Sequence, residues 1–574
     1  MKPFLLICLL GIFEFTDTQS VNENSVPGPD VPFEKVYLHL DRTFFSSGND
    51  IWFKAYLTDA ATSLPSDNSN TLYVELVSPG SKIIETKVIR MDKGLGHGDF
   101  HLGDSIPSGN YQIRAYTNYM RNFGEIFFFK RELVIVNPYG IESQHVSDPS
   151  GKINMPDIGF YPEGGSLIED VPSIVGVKAV NPDGLGINVS GTIITSKGDT
   201  VAKFATSRFG MGSFSFTSNR KLKYFAIGKT DSGVPFRIEM PEPLKTGYAI
   251  SLSEYSNQEI KISIRTNPET LAKNHGRELV IVGKSHNTLC LMSFITMSSV
   301  VTSALLPKKE FPEGITSISL MDTMGVIYSE RLFYVHKKSN IRVSVASDKN
   351  TYLPKGRVDL KIEVKDSLNN PVSADLSMAV VDIGQLGDRS QKGDICSYQL
   401  LESEIQGFIE QPYYYFDTSH ADRYQALDNL LLTQGWRNYT WKELARRPLT
   451  FDYTFEKGFE VSGNVKRAIT NKPIKDLNIT MAILDSIRPI FQYSQTDREG
   501  KFYFGNLNFS GTQRLILSAH DKNIQGKGMI SVDSVMWVPA PSSYTSNVNV
   551  SEDRVFAGYR QEVEIEHGQL KNTS

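Results

Sequence analysis

The chain has 574 residues, room for about three to six domains at roughly 100–200 residues each. Hydrophobic residues make up 40%, charged residues 22% and aromatics 11%, a composition able to bury real cores. With 60 Lys plus Arg against 64 Asp plus Glu, a formal charge of -4 and a pI near 6.3, the protein has no basic field to draw nucleic acid, which speaks against nucleic-acid partners.

Residues 1–20 read as a signal peptide: Met1-Lys2, a mostly apolar run from Phe4 to Phe13, and small residues in Thr18-Gln19-Ser20 for cleavage after Ser20. The mature chain is therefore expected to be exported. Cys8 has only seven residues before it and Ile7 where a lipidation signal has a small residue, so an ordinary apolar residue is preferred to a lipid anchor. After cleavage Cys290 and Cys396 remain, too few for a disulfide scaffold and without C-x-x-C spacing. No later run of eighteen apolar residues occurs, so no membrane span is expected after signal removal.

From 33 to 138 apolar residues alternate in short runs. Val36, Leu38 and Leu40 come first, then Ile51, Phe53, Ala55 and Leu57, then Leu72, Val74 and Leu76, then Tyr111, Ile113 and Ala115. About seven such strands, separated by turns such as Pro107-Ser108-Gly109-Asn110, are expected to form a β-sandwich. The texture repeats over 151–243, where Ile174, Gly176 and Lys178 are read as one strand face, and over 246–338, with Ile260 to Ile264 and Leu279 to Val282. Cys290, in Thr288-Leu289-Cys290-Leu291-Met292, reads as an inert core residue.

A fourth sandwich is expected over 339–455. Asp41-Arg42-Thr43-Phe44-Phe45 with Ile51 and Phe53 lies over Asp348-Lys349-Asn350-Thr351-Tyr352 with Val358 and Leu360, an offset of 307 residues (41 to 348). Phe45 and Tyr352 are each expected to plug the end of a sandwich, in preference to stacking on a carbohydrate. Within 394–448 the period becomes helical, with Tyr424, Leu427, Leu430 and Leu431 in 421–434 and a capping-box start at Thr440-Trp441-Lys442-Glu443. This helical insertion is expected to pack across a domain junction rather than present a free surface. Because Tyr413-Tyr414-Tyr415-Phe416 are adjacent, at least one of them is expected to be exposed or in an interface. Over 456–538 alternation returns through Val461, Gly463, Val465, Leu477, Ile479, Met481, Phe502 and Phe504, with a turn at Asp497-Arg498-Glu499-Gly500, and 539–574 reads as a loose polar tail.

The segment Lys35-Val36-Tyr37-Leu38-His39-Leu40-Asp41-Arg42 with Phe45, Gly48 and Ile51 to Tyr56 resembles macroglobulin domains of the alpha-2-macroglobulin family. Several motifs are similar to the branch found in Bacteroidetes envelopes: Phe160-Tyr161-Pro162-Glu163-Gly164-Gly165, Gly210-Met211-Gly212, Phe311-Pro312-Glu313-Gly314-Ile315, Glu330-Arg331-Leu332 and Thr433-Gln434-Gly435-Trp436-Arg437. The 459–538 region resembles the carboxypeptidase regulatory-like domain through Val461-Ser462-Gly463-Asn464-Val465 and Asp497 to Phe502. The resemblance implies tandem immunoglobulin-like or macroglobulin-like β-sandwiches, a place in the periplasm or at the outer membrane, and a protein partner in the envelope, such as an outer-membrane transporter or a protease. Related chains often continue into a TonB-dependent receptor plug; this sequence ends at Ser574, so truncation before a plug and loss of the plug both stay open.

Reactive chemistry is not visible. Protease-trapping macroglobulins carry a thioester within Gly-Cys-Gly-Glu-Gln, which neither Cys290 nor Cys396 matches. His275-Gly276-Arg277-Glu278 has a bare H-x-x-E, but a match this short recurs by chance, and His97-Gly98-Asp99-Phe100-His101 is read as a glycine turn without further ligands. There is no H-E-x-x-H and no G-x-S-x-G. No catalytic, cofactor-binding or metal-ligating residue is nominated and no cofactor is expected. The reading is a non-catalytic envelope binding or scaffold protein, associated through its resemblance with TonB-dependent transport. The alternatives are a macroglobulin-type endopeptidase inhibitor lacking the thioester, with the insertion as bait, and, more remotely, a zinc metallopeptidase.

Overall fold

The computed structural model describes residues 32–138, 156–182, 184–286, 288–337, 341–382, 393–435, 450–484, 489–507, 513–520, 528–533 and 544. The signal-peptide assignment, the helix start at Thr440 and nearly all of the tail lie outside these residues. The architecture is mostly β, a set of two-sheet sandwiches with a small helical insertion. The chain divides into two compact units. One contains the second and third sandwiches, a β-hairpin and the insertion; the other contains the first and last sandwiches.

The first sandwich has eight strands: β1 Glu34–Leu40, β2 Phe44–Ser46, β3 Asp50–Asp59, β4 Thr71–Val77, β5 Ile83–Arg90, β6 Leu95–His101, β7 Gly109–Tyr116 and β8 Phe129–Val136. Sheet β1-β3-β6 faces sheet β2-β8-β7-β4-β5, with β2 parallel to β8 and the other pairs antiparallel. Alternation in β3 sends Ile51, Phe53, Ala55 and Leu57 into the core and leaves Trp52 exposed. The opposite face of the larger sheet buries charge. Arg114 Nε lies 2.5 Å from Glu75 Oε2 and Nη1 lies 2.9 Å from Glu125 Oε1, while the Tyr116 hydroxyl donates to Glu75. Buried Glu34 accepts from the hydroxyls of Ser66, Ser69 and Thr117. Satisfied in this way, the buried carboxylates fasten the 117–128 segment over the sheet.

The second sandwich pairs β13-β10-β9 with β12-β11-β14-β15, where β9 is Asp157–Pro162, β10 Pro172–Val180, β11 Val189–Thr195, β12 Thr200–Ala205, β13 Met211–Thr217, β14 Tyr224–Thr230 and β15 Pro235–Glu239. One expectation is corrected in β10. Val175, Val177 and Ala179 enter the core, whereas Ile174, Gly176 and Lys178 belong to the other face. Alternation could not tell the faces apart, because apolar or small residues occupy both.

The third sandwich pairs β16-β17-β20 with β19-β18-β21-β22, where β16 is Tyr248–Glu254, β17 Glu259–Thr266, β18 Glu278–Ser285, β19 Thr288–Thr296, β20 Val301–Pro307, β21 Gly314–Asp322 and β22 Ile327–Val335. Helix α1, Pro268–Lys273, starts at Asn267, whose side chain accepts from the Thr270 amide. Cys290 is partly buried against this core, and desolvation pushes its thiol up, which disfavours the thiolate.

Where a fourth sandwich was expected, the described residues form one antiparallel hairpin, β23 Ile341–Ser347 and β24 Leu360–Asp366. It repeats the opening of the first sandwich at the same offset of 307. Leu40 pairs with Phe53 and Ser347 with Leu360; Val36 pairs with Leu57 and Val343 with Val364. Asp41 Oδ1 accepts from the Trp52 amide and Asp348 Oδ1 from the Asp359 amide. Arg42 lies over Phe45 and Lys349 over Tyr352. The aromatic pair diverges, however. Phe45 is buried in the core, whereas the Tyr352 hydroxyl bonds to Asp348 in an exposed loop, so Tyr352 plugs no core.

The last sandwich pairs β28-β25-β30 with β27-β26-β29, where β25 is Phe459–Arg467, β26 Asn478–Leu484, β27 Ile490–Gln495, β28 Lys501–Leu507, β29 Arg514–His520 and β30 Gly528–Val532. Val465, Ile479, Met481, Phe502 and Phe504 form its core. In the turn before β28, Asp497 Oδ1 accepts from the amides of Glu499 and Lys501. Of the tail, Tyr544 is described and is buried, its carbonyl accepting from the Ser81 hydroxyl, so at that residue the expected loose tail is anchored.

Candidate functional site

The insertion begins at Asp394, which caps α2, Ile395–Ser397, by accepting from the Ser397 amide at 2.7 Å while the Ser397 hydroxyl accepts from the Asp394 amide. A wide π-type turn (398–402) and a 3-10 turn (412–415) lead to α3, Arg423–Thr433. Leu427, Leu430 and Leu431 of α3 are buried, and Tyr424 remains half exposed. The helix packs on β9, β10 and β13 of the second sandwich and on β22 of the third, so it crosses a domain junction.

The sequence motifs converge here. Gly176 sits under the helix, where an added Cβ would lie 2.8 Å from Leu432 Cγ and 2.9 Å from Thr433 Cγ2; only glycine permits this approach. Gly164, at φ 81°, turns its carbonyl toward β22 and accepts from the Ser329 hydroxyl at 3.0 Å. Its neighbour Glu163 holds Arg331 Nε at 3.1 Å, and Arg331 Nη2 reaches Asp428 of α3 at 2.7 Å while Nη1 donates to the Leu332 carbonyl. One guanidinium thus ties the second sandwich, the third sandwich and the helix together. Burial pushes the Glu163 carboxyl up and the Arg331 charge pulls it back down. Gln434 accepts from Lys178 Nζ at 2.6 Å and donates to the Gln406 carbonyl at 3.0 Å. An added Cβ at Gly314 would reach Leu400, and Phe209, beside Gly210, makes an edge contact with Tyr414.

The aromatic run divides as its crowding demands. Tyr414 and Tyr415 are buried, while Tyr413 is 49% exposed. Desolvation raises the Tyr415 phenol well above its usual range. A half-open cleft of about 480 Å³ lies between Pro162, Gly165, Arg331, Leu332 and Gly435. A second, of about 300 Å³, is lined by Glu254, Tyr334, His336, Tyr424 and Asp428. The His336 ring sits 4.5 Å from Tyr334 and 4.2 Å from Tyr424, and burial lowers its pKa to about 4, so the imidazole is neutral at pH 7.

These groups position chain segments. Cys396 belongs to an exposed residue, yet desolvation of its sulfur, together with the nearby Asp394 and Glu313 carboxylates, pushes its thiol up to about 11. His275 lies in the turn after α1, and Glu278 opens β18. His97 and His101 lie on strand β6 rather than on the glycine turn expected for them; His97 is opposite Lys54, and His101 Nδ1 is 2.8 Å from Asp50. Among the described residues no group of three or more His, Cys, Asp or Glu side chains is arranged to hold a metal ion. Sequence reasoning found the motifs but missed that the helix joins them, since no signal within each motif names its neighbour.

No family model matches the sequence, and no curated protein matches it. Solved structures that align with it include the alpha-2-macroglobulin of Escherichia coli activated by porcine elastase, at 9% identity over 87% of this chain and 43% of that one, with a TM-score of 0.20. Dimeric latent PorU from Porphyromonas gingivalis aligns at 10% identity over 54% of this chain and 34% of that one, with a TM-score of 0.25. A tetra-tandem repeat from the extending region of a large adhesion protein aligns at 9% identity over 88% of this chain and 99% of that one, with a TM-score of 0.13. The chain spans less than half the length of the alpha-2-macroglobulin structure it aligns with. At these scores the whole chains do not superpose; the sandwich architecture rests on strand pairing.

Proposed function

We propose that the protein is a non-catalytic binding and spacing protein of the macroglobulin type, working in the bacterial cell envelope. The observation that carries this reading is the Glu163–Arg331–Asp428 chain. It joins two sandwiches and a helix, and its members are engaged with one another. A block built this way holds its loops at fixed separations, which suits docking. The signal-like N-terminus supports export, and the family resemblance supports a partner connected with outer-membrane transport. Tyr413, aromatic and half exposed on the insertion, is the natural contact residue.

A photo-crosslinking residue at position 413 in cells tests this. The proposal expects one discrete envelope-protein adduct that is lost when the label is moved to buried Leu430; labelling at 413 that yields none counts against it. Incubation with proteases tests the inhibitor alternative. A single cut within 394–448 followed by retention of the protease would replace the spacing reading with a trapping one.

A further inference from the structure

Residues 450–457, of which 450–455 were expected in the fourth sandwich and 456–457 in the last, lie instead on the first. They form no strand there. Asn122 pairs with both main-chain groups of Tyr453: Nδ2 donates to the carbonyl at 2.7 Å, and the Tyr453 amide donates to Oδ1 at 2.9 Å. Farther along, the Asn70 amide donates to the Glu456 carbonyl at 2.7 Å, and the Tyr73 hydroxyl donates to the Glu456 carboxylate at 3.0 Å. The Phe455 ring stacks on Tyr119 at 3.7 Å and 23°, Phe451 lies parallel to the same ring at 6.2 Å, and the Arg121 guanidinium covers Tyr453 at 4.1 Å.

This is how a groove reads an extended peptide. Main-chain groups are met by a fixed amide, aromatic side chains at every second position are met by rings and a cation, and a carboxylate closes the register. The receiving surface is built independently of the segment it holds. The Thr117 hydroxyl is fixed by Glu34 and Glu125 by Arg114, while Asn122 Nδ2 also donates to the Tyr119 carbonyl. Within the held segment Phe451 stays half exposed. Being tethered, the segment competes at an effective concentration on the order of millimolar.

We propose that this groove on the first sandwich is a peptide-binding site for extended segments of the pattern aromatic-x-aromatic-x-aromatic-acidic, with residues 451–456 as its resident ligand. The site is independent of the role proposed for the insertion. An outside segment of that pattern binds when the resident one is displaced, so occupancy from within the chain governs access.

The probe is a fluorescein-labelled synthetic peptide of residues 450–458, titrated by anisotropy into the full chain and into a full chain carrying Phe451→Ser, Tyr453→Ser and Phe455→Ser. Saturable binding to the triple variant is expected, at least tenfold tighter than to the unaltered chain, and adding Asn122→Ala to the triple variant should weaken it at least tenfold. Absence of binding by a triple variant whose circular dichroism matches the unaltered chain, or binding indifferent to Asn122, overturns the proposal. Should the triple variant fail to fold, amide exchange in the unaltered chain decides. The Tyr453 amide should be protected at least tenfold relative to an open peptide and lose that protection in Asn122→Ala; an unprotected amide overturns the proposal.

Discussion

Residues 34–59 and 341–366 carry one motif at an offset of 307 and form the same hairpin, in the same register, with the same aspartate clamp. Their surroundings differ. In the first hairpin Val36 is 0% exposed and Phe53 4%, because a five-stranded sheet covers them; in the second, the matching Val343 is 53% exposed and Leu360 41%. Two-residue alternation therefore specifies the hairpin, and what lands on its apolar face specifies the core. The clamps register this difference electrostatically. Desolvation raises the Asp41 carboxyl, whereas hydrogen bonds from Tyr352 and the Asp359 amide lower that of Asp348.

Truncating matched positions gives the largest contrast. Phe53→Ala should cost about 3–5 kcal/mol in urea unfolding, and Leu360→Ala under about 1 kcal/mol. Equal losses would mean that the second hairpin is covered in solution. The outer face of β10, covered by α3, allows a further break. Arg331→Ala leaves Glu163 buried without its cation and should cost about 3–5 kcal/mol at pH 7. The sign of its pH dependence follows from the carboxyl, already raised by burial and no longer pulled down by Arg331. The folded state then keeps a proton that the unfolded state has released above pH ~4.5, so stability falls as pH rises through that window and part of the loss returns on acidification toward pH 5.

Gly176→Val is a milder version of the same break, forcing Leu432 and Thr433 away at about 1–3 kcal/mol, seen as a lower midpoint of thermal unfolding. The smallest effect is a titration difference. Carboxyl NMR should place the Asp348 midpoint below, and the Asp41 midpoint above, the usual aspartate value; coincident midpoints would show that the two clamps share one environment.

Much of this was legible in the sequence. Ile51 to Leu57, Ile260 to Ile264 and the Ile479–Met481 pair announce their strands, and Leu427, Leu430 and Leu431 announce α3. What was not legible depended on coverage. In β10 the core face (Val175, Val177, Ala179) and the face that meets α3 at Gly176 both carry apolar or small residues, so alternation alone did not say which one enters the core. Phe451, Tyr453 and Phe455 alternate like a strand of a fourth sandwich, yet the Asn122 side chain takes the place of a strand partner. The motifs around Glu163, Gly314, Arg331 and Gln434 were visible as strings, but only the folded chain shows that each receives part of the insertion.

The central claim, that the insertion and the two sandwiches it touches are one mechanical block, is tested most directly by native-state hydrogen exchange read by mass spectrometry across 423–433, 172–180 and 327–335. The account predicts that α3 opens together with β10 and β22, at one shared free energy that falls for all three in Arg331→Ala. Exchange of α3 well ahead of both strands, with the strands untouched by Arg331→Ala, would contradict it.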